Sequence, residues 1–249
     1  MVQMTEKKEG LLERVMTIKP TPRINRIRES FLSLKPTASI NRARIETRIT
    51  KETAADPTII RKAKIFAAVT REMPIDIYPD ELLVGCSSVR PRCTDITPGS
   101  DYNVSEQRAF VLGYKADTIS INLNDDEKKE FDEEITPYWK EQGRPSRIVH
   151  YGHNVHNWEK VLKKGFLGIK EDAEERLARL DLTKPDDIKK IPFLEGVVIA
   201  MEASAEIGKR YAARARELAE KEEDTARKSE LLKIAEVCDR VPANPARTL

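Results

Sequence analysis

Residues 148–169 read IVHYGHNVHNWEKVLKKGFLGI and contain all three histidines of the chain within seven residues. From Val155 onward the apolar residues recur at the spacing of one helix face, which predicts an amphipathic helix. Asn154 is a favourable N-cap for this helix, and Gly152 permits a sharp backbone entry before it. The segment therefore predicts a tight turn that delivers polar side chains to the start of a helix.

Three side chains lie just ahead of the predicted helix N-terminus and are candidates for ligand contact: His150, Tyr151 and His153. Free backbone N–H groups and the positive end of the helix dipole can receive an anionic or hydroxyl-bearing ligand at that place. An imidazole held there can also donate a proton to a substrate or accept one near neutral pH. Substrate contact is therefore one interpretation of the histidine cluster.

Two other interpretations of the histidines remain open. His150, His153 and His156 recur at intervals of three residues, and Glu159 extends the series, as metal ligands on a continuous helix would. A glycine and an asparagine interrupt such a helix, however, and helical metal sites usually use residues four apart, so we expect no metal site. In the remaining interpretation, the imidazoles only cap the helix and form hydrogen bonds within the turn.

The three cysteines, Cys86, Cys93 and Cys238, form no disulfide framework in a chain of 249 residues. Six residues separate the first two, and no third or fourth ligand follows nearby, which argues against a zinc site. A reducing compartment, the cytoplasm, is the simpler expectation. The sequence also contains no glycine-rich phosphate loop and no nucleophile elbow, so it carries no familiar catalytic motif of its own.

The composition is that of a charged, helix-rich protein. Charged residues make up 35% of the chain and hydrophobic residues 39%, while Lys+Arg 44 against Asp+Glu 42 give a formal charge of +2. This balance predicts no nucleic-acid or membrane partner, and an aromatic content of 6% argues against a base-stacking surface. No run of about 18 apolar residues occurs, and residues 1–18 lack the apolar core of a signal peptide.

Capping residues and apolar spacing predict a mainly helical fold. The predicted helices begin at Pro22, Ile40, Pro57, Asp125, Val155, Glu171, Asp186 and Thr225. A short extended run at 81–85, followed by an ordered loop at 86–102, is the one minor non-helical region. Residues 1–20 are expected to be a flexible, charged lead-in.

The longest predicted helix, 186–222, changes character along its length. Its middle, 193–201, is almost continuously apolar, so we expect it to be buried against neighbouring helices. Residues 209–223 are rich in charge and are expected to form an exposed outer end. The core should therefore form around the middle of this helix.

Three stretches, in their order and spacing, resemble the glycyl radical enzymes of the pyruvate formate-lyase family, in particular the branch with B12-independent glycerol dehydratase. They are residues 21–28 with the helix at 39–53 and Arg61-Lys62-Ala63, residues 73–92, and residues 152–169. Residues 245–249 are similar to the family's lead into its next core helix. By this resemblance we expect residues 21–249 to be the N-terminal helical part of a longer protein.

The resemblance implies a fold built around a ten-stranded α/β barrel, with the barrel core largely absent from this chain. It also implies a glycyl radical, installed by an S-adenosylmethionine-dependent iron–sulfur activating enzyme, and a cysteine thiyl radical that abstracts hydrogen from the substrate. The glycine and cysteine loops would fall beyond this chain, and none of its cysteines stands in the matching context. We therefore expect no catalytic residue and no bound cofactor here, and no activity from this chain alone.

In the resemblance, His153 contacts a substrate hydroxyl, and Tyr151 and Asn154 shape the same pocket. The full enzyme would be an anaerobic, cytoplasmic, homodimeric lyase or dehydratase that breaks a C–O or C–C bond of a small polar substrate. The substrate itself remains open, since similar N-terminal regions occur in family members that cleave C–C, C–O, C–N or C–S bonds. The alternative is a non-catalytic helical scaffold or interaction module.

Overall fold

The computed structural model describes residues 19–35, 37–85, 89–96, 123–142 and 157–247. They form a mainly helical fold with one pair of short parallel strands, which confirms the predicted helical character. In chain order the elements are α1 (Pro22–Ser33), β1 (Thr37–Ser39), α2 (Asn41–Glu52), α3 (Thr58–Glu72), β2 (Cys93–Asp95), α4 (Asp125–Glu130), a π-helical turn (Phe131–Ile135), α5 (Thr136–Glu141), α6 (Trp158–Ala178), α7 (Pro185–Ile188), α8 (Ile191–Lys221) and α9 (Thr225–Arg240).

Several helices begin where capping side chains and prolines predict. The Thr21 hydroxyl accepts a hydrogen bond from the amide of Ile24 at 3.4 Å, and Pro22 occupies the first turn of α1. Asn124 and Glu127 form a reciprocal capping box at the start of α4. These local signals succeed because a capping bond joins residues that are close in sequence and needs no tertiary partner.

The helix that follows the histidine segment begins later than predicted. α6 starts at Trp158, and the side chain of Asn157 accepts the capping bond from the third helical amide at 3.0 Å. The prediction that Asn154 is the N-cap is therefore wrong, because Asn157 has the spacing that a bond to this amide requires. The separate helix predicted from Glu171 is the second half of α6, whose two halves meet at Gly165.

The longest helix, α8, is about 47 Å long, and α3, α6 and α9 pack against it. One tyrosine and three alanines of its second half pack against α9: Tyr211, Ala212, Ala215 and Ala219. The expectation that 193–201 is buried holds only in part: Leu194 and Gly196 are buried, residues 197–201 are half-buried, and Phe193 is 58% exposed. The 209–223 end contributes to the core as well, because α9 folds back along it. None of the described helices is apolar enough over a sufficient length to cross a membrane.

A second group of buried residues joins the strands to α2, the π-helical turn and α5. Its members are Ala38, Ile40, Ala43, Ile96, Leu123, Phe131, Ile135 and Trp139. The Trp139 indole N–H donates to the Thr47 hydroxyl at 2.8 Å, so this large side chain is buried with its polar atom satisfied. A third, smaller cluster of Ile45, Ile49 and Ala68 joins α2 to α3.

The strands lie in places where the sequence predicts no strand. β1 and β2 pair in parallel, with Ser39 opposite Asp95. Residues 81–85, predicted to be extended, form no strand and follow a turn in which the Glu81 amide donates to the Tyr78 carbonyl at 3.2 Å. The prediction for 81–85 fails because an extended-looking local pattern does not identify a pairing partner. The segment that does form a strand, β2, is paired with β1, which lies far upstream in the chain.

Candidate functional site

The predicted ligand-contacting residues lie outside the described residues, as does the third histidine of the cluster: His150, Tyr151, His153, Asn154 and His156. Substrate contact by these residues therefore stays a prediction, and so does the alternative in which the imidazoles only stabilise a turn. The structure describes the helix that follows them and a cavity that this helix lines.

The start of α6 is exposed to solvent. Trp158, its first residue, is 64% exposed. Glu159, the last member of the possible metal series, forms an ion pair with Lys163 at 2.5 Å. Within the described ranges, no group of three or more His, Cys, Asp and Glu side chains is arranged so that it could hold a metal ion. This part of the chain thus contributes no ligand set to the metal interpretation.

α6 contains a break at Gly165, which has a φ of 66° and a ψ of 176°. The amide of Phe166 donates to the Pro242 carbonyl at 3.0 Å. The amide of Leu167 donates to the Ala243 carbonyl at 2.9 Å. A Cβ atom at Gly165 would lie 2.4 Å from the Ala243 oxygen, so only glycine lets the segment after α9 approach this closely. The sequence pattern treats Gly165 as a member of an apolar face and therefore misses this role.

A cavity of about 330 Å³ lies where α2, α3, β2, α6 and α8 meet. Apolar side chains form much of its wall: Phe66, Val69, Met73, Pro74, Ile75, Phe166 and Ile207. The polar side chains that reach it are Arg42, Thr70, Asp95, Ser204, Arg210 and Tyr211. A concave, mainly apolar site with a few polar groups is typical of small-molecule binding, which makes this cavity the candidate site among the described residues.

Two polar side chains of the cavity wall are bound to backbone carbonyls. Arg210 donates to the Thr70 carbonyl and, at 2.5 Å, to the Met73 carbonyl at the end of α3. Burial lowers the pKa of the Arg210 guanidinium, although arginine stays charged at neutral pH. The Ser204 hydroxyl donates to the Ala200 carbonyl at 2.8 Å. The Arg210 contacts join α8 to the end of α3 and so stabilise the wall of the cavity.

Asp95 differs from these groups, because both of its carboxylate oxygens are buried and accept no hydrogen bond of ordinary geometry from the described residues. Burial raises the pKa of this carboxyl. The nearby Ser39 hydroxyl and the guanidinium groups of Arg42 and Arg90 act in the opposite direction. A buried carboxyl in this state favours protonation or a ligand that donates to it. The cavity therefore combines apolar walls with one buried acidic group.

The two described cysteines lack the surroundings of an activated nucleophile. Cys93 lies on β2 and Cys238 on α9, and both are partly buried. Burial raises the pKa of each thiol, so both are mainly protonated at neutral pH. Cys86 lies outside the described residues.

A sequence model of the pyruvate formate lyase-like family matches residues 16–249, which is nearly the whole chain. The chain belongs to this family of glycyl radical enzymes. The resemblance found in the three sequence stretches is thereby confirmed, together with its restriction to the N-terminal portion.

Individual relatives of this pyruvate formate lyase-like chain support the assignment. The isethionate sulfite-lyase of Desulfovibrio desulfuricans is 34% identical over 98% of this chain and 33% of its own length. The trans-4-hydroxy-L-proline dehydratase of Clostridioides difficile is 32% identical over 76% of this chain and 27% of its own. The glycerol-bound structure of the B12-independent glycerol dehydratase from Clostridium butyricum matches 93% of this chain and 32% of its own, with 28% identity and a TM-score of 0.80. The chain thus spans about a third of the length of these relatives.

Proposed function

We propose that this chain is the N-terminal helical part of a glycyl radical lyase or dehydratase that acts on a small polar substrate. The observation that supports the proposal most is the family match over residues 16–249, joined to relatives that are named lyases and dehydratases. Residues 21–249 would lie against a barrel core formed by the remaining part of the enzyme, and residues 1–20 would be a lead-in. The relatives' greater length leaves room for that core.

In the proposed enzyme, a thiyl radical on a cysteine beyond this chain abstracts hydrogen from the substrate. The contribution of this chain is to bind and orient that substrate. His153 would form a hydrogen bond with a substrate hydroxyl and exchange a proton with it as the neighbouring bond breaks. Tyr151 and Asn154 would shape the same pocket.

The bond that breaks is proposed to be C–O or C–C. Relatives named as dehydratases favour C–O cleavage, because dehydration removes a hydroxyl group as water. Relatives named isethionate sulfite-lyase release sulfite instead, so a polar leaving group is what these names share. We therefore propose a substrate with a hydroxyl or another polar group next to the carbon that loses hydrogen.

The complete enzyme would work as a cytoplasmic homodimer under anaerobic conditions. It would need an S-adenosylmethionine-dependent iron–sulfur enzyme to install the glycyl radical, and this chain would bind none of these cofactors. Without the remaining part of the enzyme, the chain would be inert.

The test uses the protein encoded by the complete reading frame that contains this sequence, produced anaerobically together with an activating enzyme. We expect an electron paramagnetic resonance signal of a glycyl radical and turnover of a small polar compound from a panel that includes isethionate, trans-4-hydroxyproline and glycerol. The 249-residue chain alone should give neither signal nor turnover. A complete protein that folds but gives neither would favour the non-catalytic scaffold instead.

A further inference from the structure

The two halves of α6 are held differently by the rest of the described chain. The second half contains the buried Ala173, and its Lys170 pairs with Glu202 of α8 at 3.7 Å. In the first half, residues 158–164, every residue is exposed except Val161, which is half-buried. Packing against the described residues therefore fixes the direction of the second half more firmly than that of the first.

The second half of α6 begins with two amides that are bound by the segment after α9. The Phe166 and Leu167 amides donate to the carbonyls of Pro242 and Ala243. Since the first amides of a helix have no partner within it, these carbonyls cap the second half from a distant part of the sequence. The positive φ of Gly165 changes the direction of the chain at this cap.

The segment that supplies this cap is itself held against α8. Ala243 is buried, with 3% of its surface exposed. A Cβ atom at Gly208 of α8 would overlap the Cys238 carbonyl oxygen and lie 2.6 Å from the Val241 oxygen. Residues 241–243 thus contact α8 on one side and the break in α6 on the other, so a displacement at one contact reaches the other.

Asp172 joins the two halves of α6 through its side chain. Its Oδ1 pairs with the Lys164 Nζ at 2.5 Å and its Oδ2 with the Lys160 Nζ at 3.2 Å. Hydrogen bonds from Lys164 and Lys160 lower the pKa of the Asp172 carboxyl, which is therefore ionised at neutral pH. On a straight helix, residues 160 and 172 would be about 18 Å apart along the axis, beyond the reach of an ion pair. The pair with Lys160 thus depends on the break, and it holds the first half at a particular angle.

We infer that these contacts position the histidine segment, residues 150–156, through the first half of α6. The contacts of Gly165, Asp172 and residues 241–243 are together called the α6 joint. Only Asn157 separates the histidine segment from α6, so the direction of the first half sets where that segment ends. The inference rests on the proposed function, in which His153 contacts the substrate, and it adds positioning residues that act on this contact without touching the substrate.

A small displacement of the histidine segment has a characteristic effect on the kinetics. Proton exchange between an imidazole and a substrate needs heavy atoms within about 3.2 Å of each other. A shift of about 1 Å therefore weakens both binding and turnover while the fold survives. Loosening the α6 joint should raise KM and lower kcat together, whereas a simple loss of folded enzyme would lower kcat and leave KM unchanged.

The experiment replaces Asp172 in the protein from the complete reading frame. With a compound that the wild type turns over (isethionate, trans-4-hydroxyproline or glycerol), Asp172→Asn should lower kcat/KM by at least about 5-fold and raise KM. The glycyl radical content and the pH profile should stay unchanged, because neither the radical nor the titrating groups are altered. Asp172→Glu keeps the charge and should recover at least about half of the loss.

Lys163→Gln is the matched control for Asp172→Asn. Lys163 pairs with Glu159 at 2.5 Å, but both residues belong to the first half, so this pair does not cross the break. We expect kcat/KM to change less than about 2-fold, as for an ordinary exposed pair. An equal effect of Lys163→Gln and Asp172→Asn would overturn the inference, since surface charge in general would then be responsible.

A second variant reaches the α6 joint from α8. Gly208→Ala adds a methyl group that pushes residues 241–243 away from α8, so it should also raise KM and lower kcat/KM by at least about 5-fold. Gly196→Ala lies on the same helix with ordinary room for a Cβ atom and should change kcat/KM less than about 2-fold. If Gly208→Ala does not fold, Asp172→Asn decides the matter alone.

The inference and the proposed function fail separately. An active Asp172→Asn enzyme with unchanged KM and kcat, or with a lower kcat at unchanged KM, would overturn the inference and leave the proposed function standing. A wild-type complete protein with no radical and no turnover would overturn the proposed function instead. The protection of residues 158–164 against amide exchange then decides on the α6 joint. A loss of at least about 5-fold in Asp172→Asn that exceeds the loss in Lys163→Gln would support it, and equal protection would overturn it.

Discussion

Gly165 joins two segments of the chain because it has no side chain. Its φ of 66° and the 2.4 Å approach of the Ala243 oxygen to a built Cβ both exclude alanine without rearrangement. We predict that Gly165→Ala lowers the free energy of unfolding of the 249-residue chain by roughly 2–4 kcal/mol, from strain in a positive-φ extended conformation that essentially only glycine adopts, plus overpacking. Urea denaturation measures this change.

Gly196→Ala is the matched control for that variant. A Cβ atom at Gly196 would meet its nearest neighbours at 3.6 Å, which is ordinary contact, and the residue lies inside a helix. We therefore expect a change within about 1 kcal/mol, which helix propensity makes favourable. Equal losses for the two variants would show that the break in α6 has no special requirement for glycine.

His153 carries the proposed substrate contact, and its replacement is a test at the scale of one residue. In the complete enzyme we predict that His153→Gln lowers kcat/KM by about 100-fold or more, because the imidazole can no longer exchange a proton with the substrate. The glycyl radical content should stay unchanged, since the radical forms elsewhere. His156→Gln, in the same cluster, should alter kcat/KM less than about 3-fold. Equal losses in both variants would favour a structural role for the histidines.

Asp95 should make stability depend on pH in the direction opposite to most acids. Because its pKa is raised, the folded protein binds this proton more tightly than the unfolded chain does. The stability that Asp95 contributes is thus fully present below its unfolded pKa of about 3.9 and is lost as the pH rises through the folded pKa. We predict that Asp95→Asn raises the free energy of unfolding at about pH 7 by on the order of 1 kcal/mol, with little effect near pH 4.

Thermal melts of wild type and Asp95→Asn at both pH values measure this prediction. A variant that is less stable than wild type at neutral pH would mean that the carboxylate is charged and well stabilised by Arg42 and Arg90. Local sequence gives no signal for this residue, because its burial depends on the pairing of two strands that are distant in the chain.

At the scale of elements, α1 is the helix that should detach first. Its ion pairs, Arg23 with Glu230 and Arg26 with Asp80, are at least partly exposed to solvent, and such pairs contribute little individually and weaken with salt. The lowered pKa values of Asp80 and Glu230 mean that their contribution is present above the unfolded values, about 3.9 and 4.3, and is lost as the pH falls through the lower folded values. We predict that the protection of residues 22–33 against amide exchange, taken relative to the unstructured rate at the same pH and salt, falls below about pH 4 or above about 1 M salt before that of the rest of the chain.

Two arginine variants separate these contacts from general charge. Arg26→Gln should speed up α1 exchange at neutral pH, because it removes the two hydrogen bonds to Asp80. Arg28→Gln lies on the same helix and has no ion pair with the described residues, so it should leave exchange unchanged. If both variants act alike, net charge and not the Asp80 contact holds the helix.

The elements themselves could be predicted to different degrees, for physical reasons. The start of α1 at Pro22 and of α9 at Thr225 follow from local capping signals, and both are confirmed. The burial along α8 is predicted only in part, because charged residues also line the half that α9 covers, and a sequence pattern does not reveal which neighbour will cover it. The break at Gly165 depends on contact with the segment that follows α9, which the local spacing around Gly165 cannot identify.

At the scale of the whole molecule, exposed apolar side chains occur in several separate elements. Examples among the described residues are Phe66, Leu83, Phe193 and Leu232, with Leu83 exposed to 92%. We predict that the 249-residue chain binds a hydrophobic dye such as ANS, and that the protein from the complete reading frame binds less per molecule. Fluorescence titration of both proteins measures the difference. Equal dye binding by the two proteins would contradict the proposal that these helices lie against a core formed by the remaining part of the enzyme.

Family membership is the whole-molecule property that the sequence predicts, through the order and spacing of three motifs. Helical periodicity alone leads only to a charged helical protein, because many families share that pattern. The cavity bounded by α2, α3, β2, α6 and α8 has no sequence signature, since its lining comes from five elements. The sequence does not predict the substrate either, because relatives with similar sequences are named for different reactions.

The parallel pair of β1 and β2 has three residues in each strand, and each strand pairs on one side only within the described part of the chain. An unpaired strand edge can recruit a strand of another molecule, and proteins limit this by keeping such strands short. Three residues offer only a few free N–H and C=O groups, so we expect that separate copies of this chain will not aggregate through the β1–β2 pair.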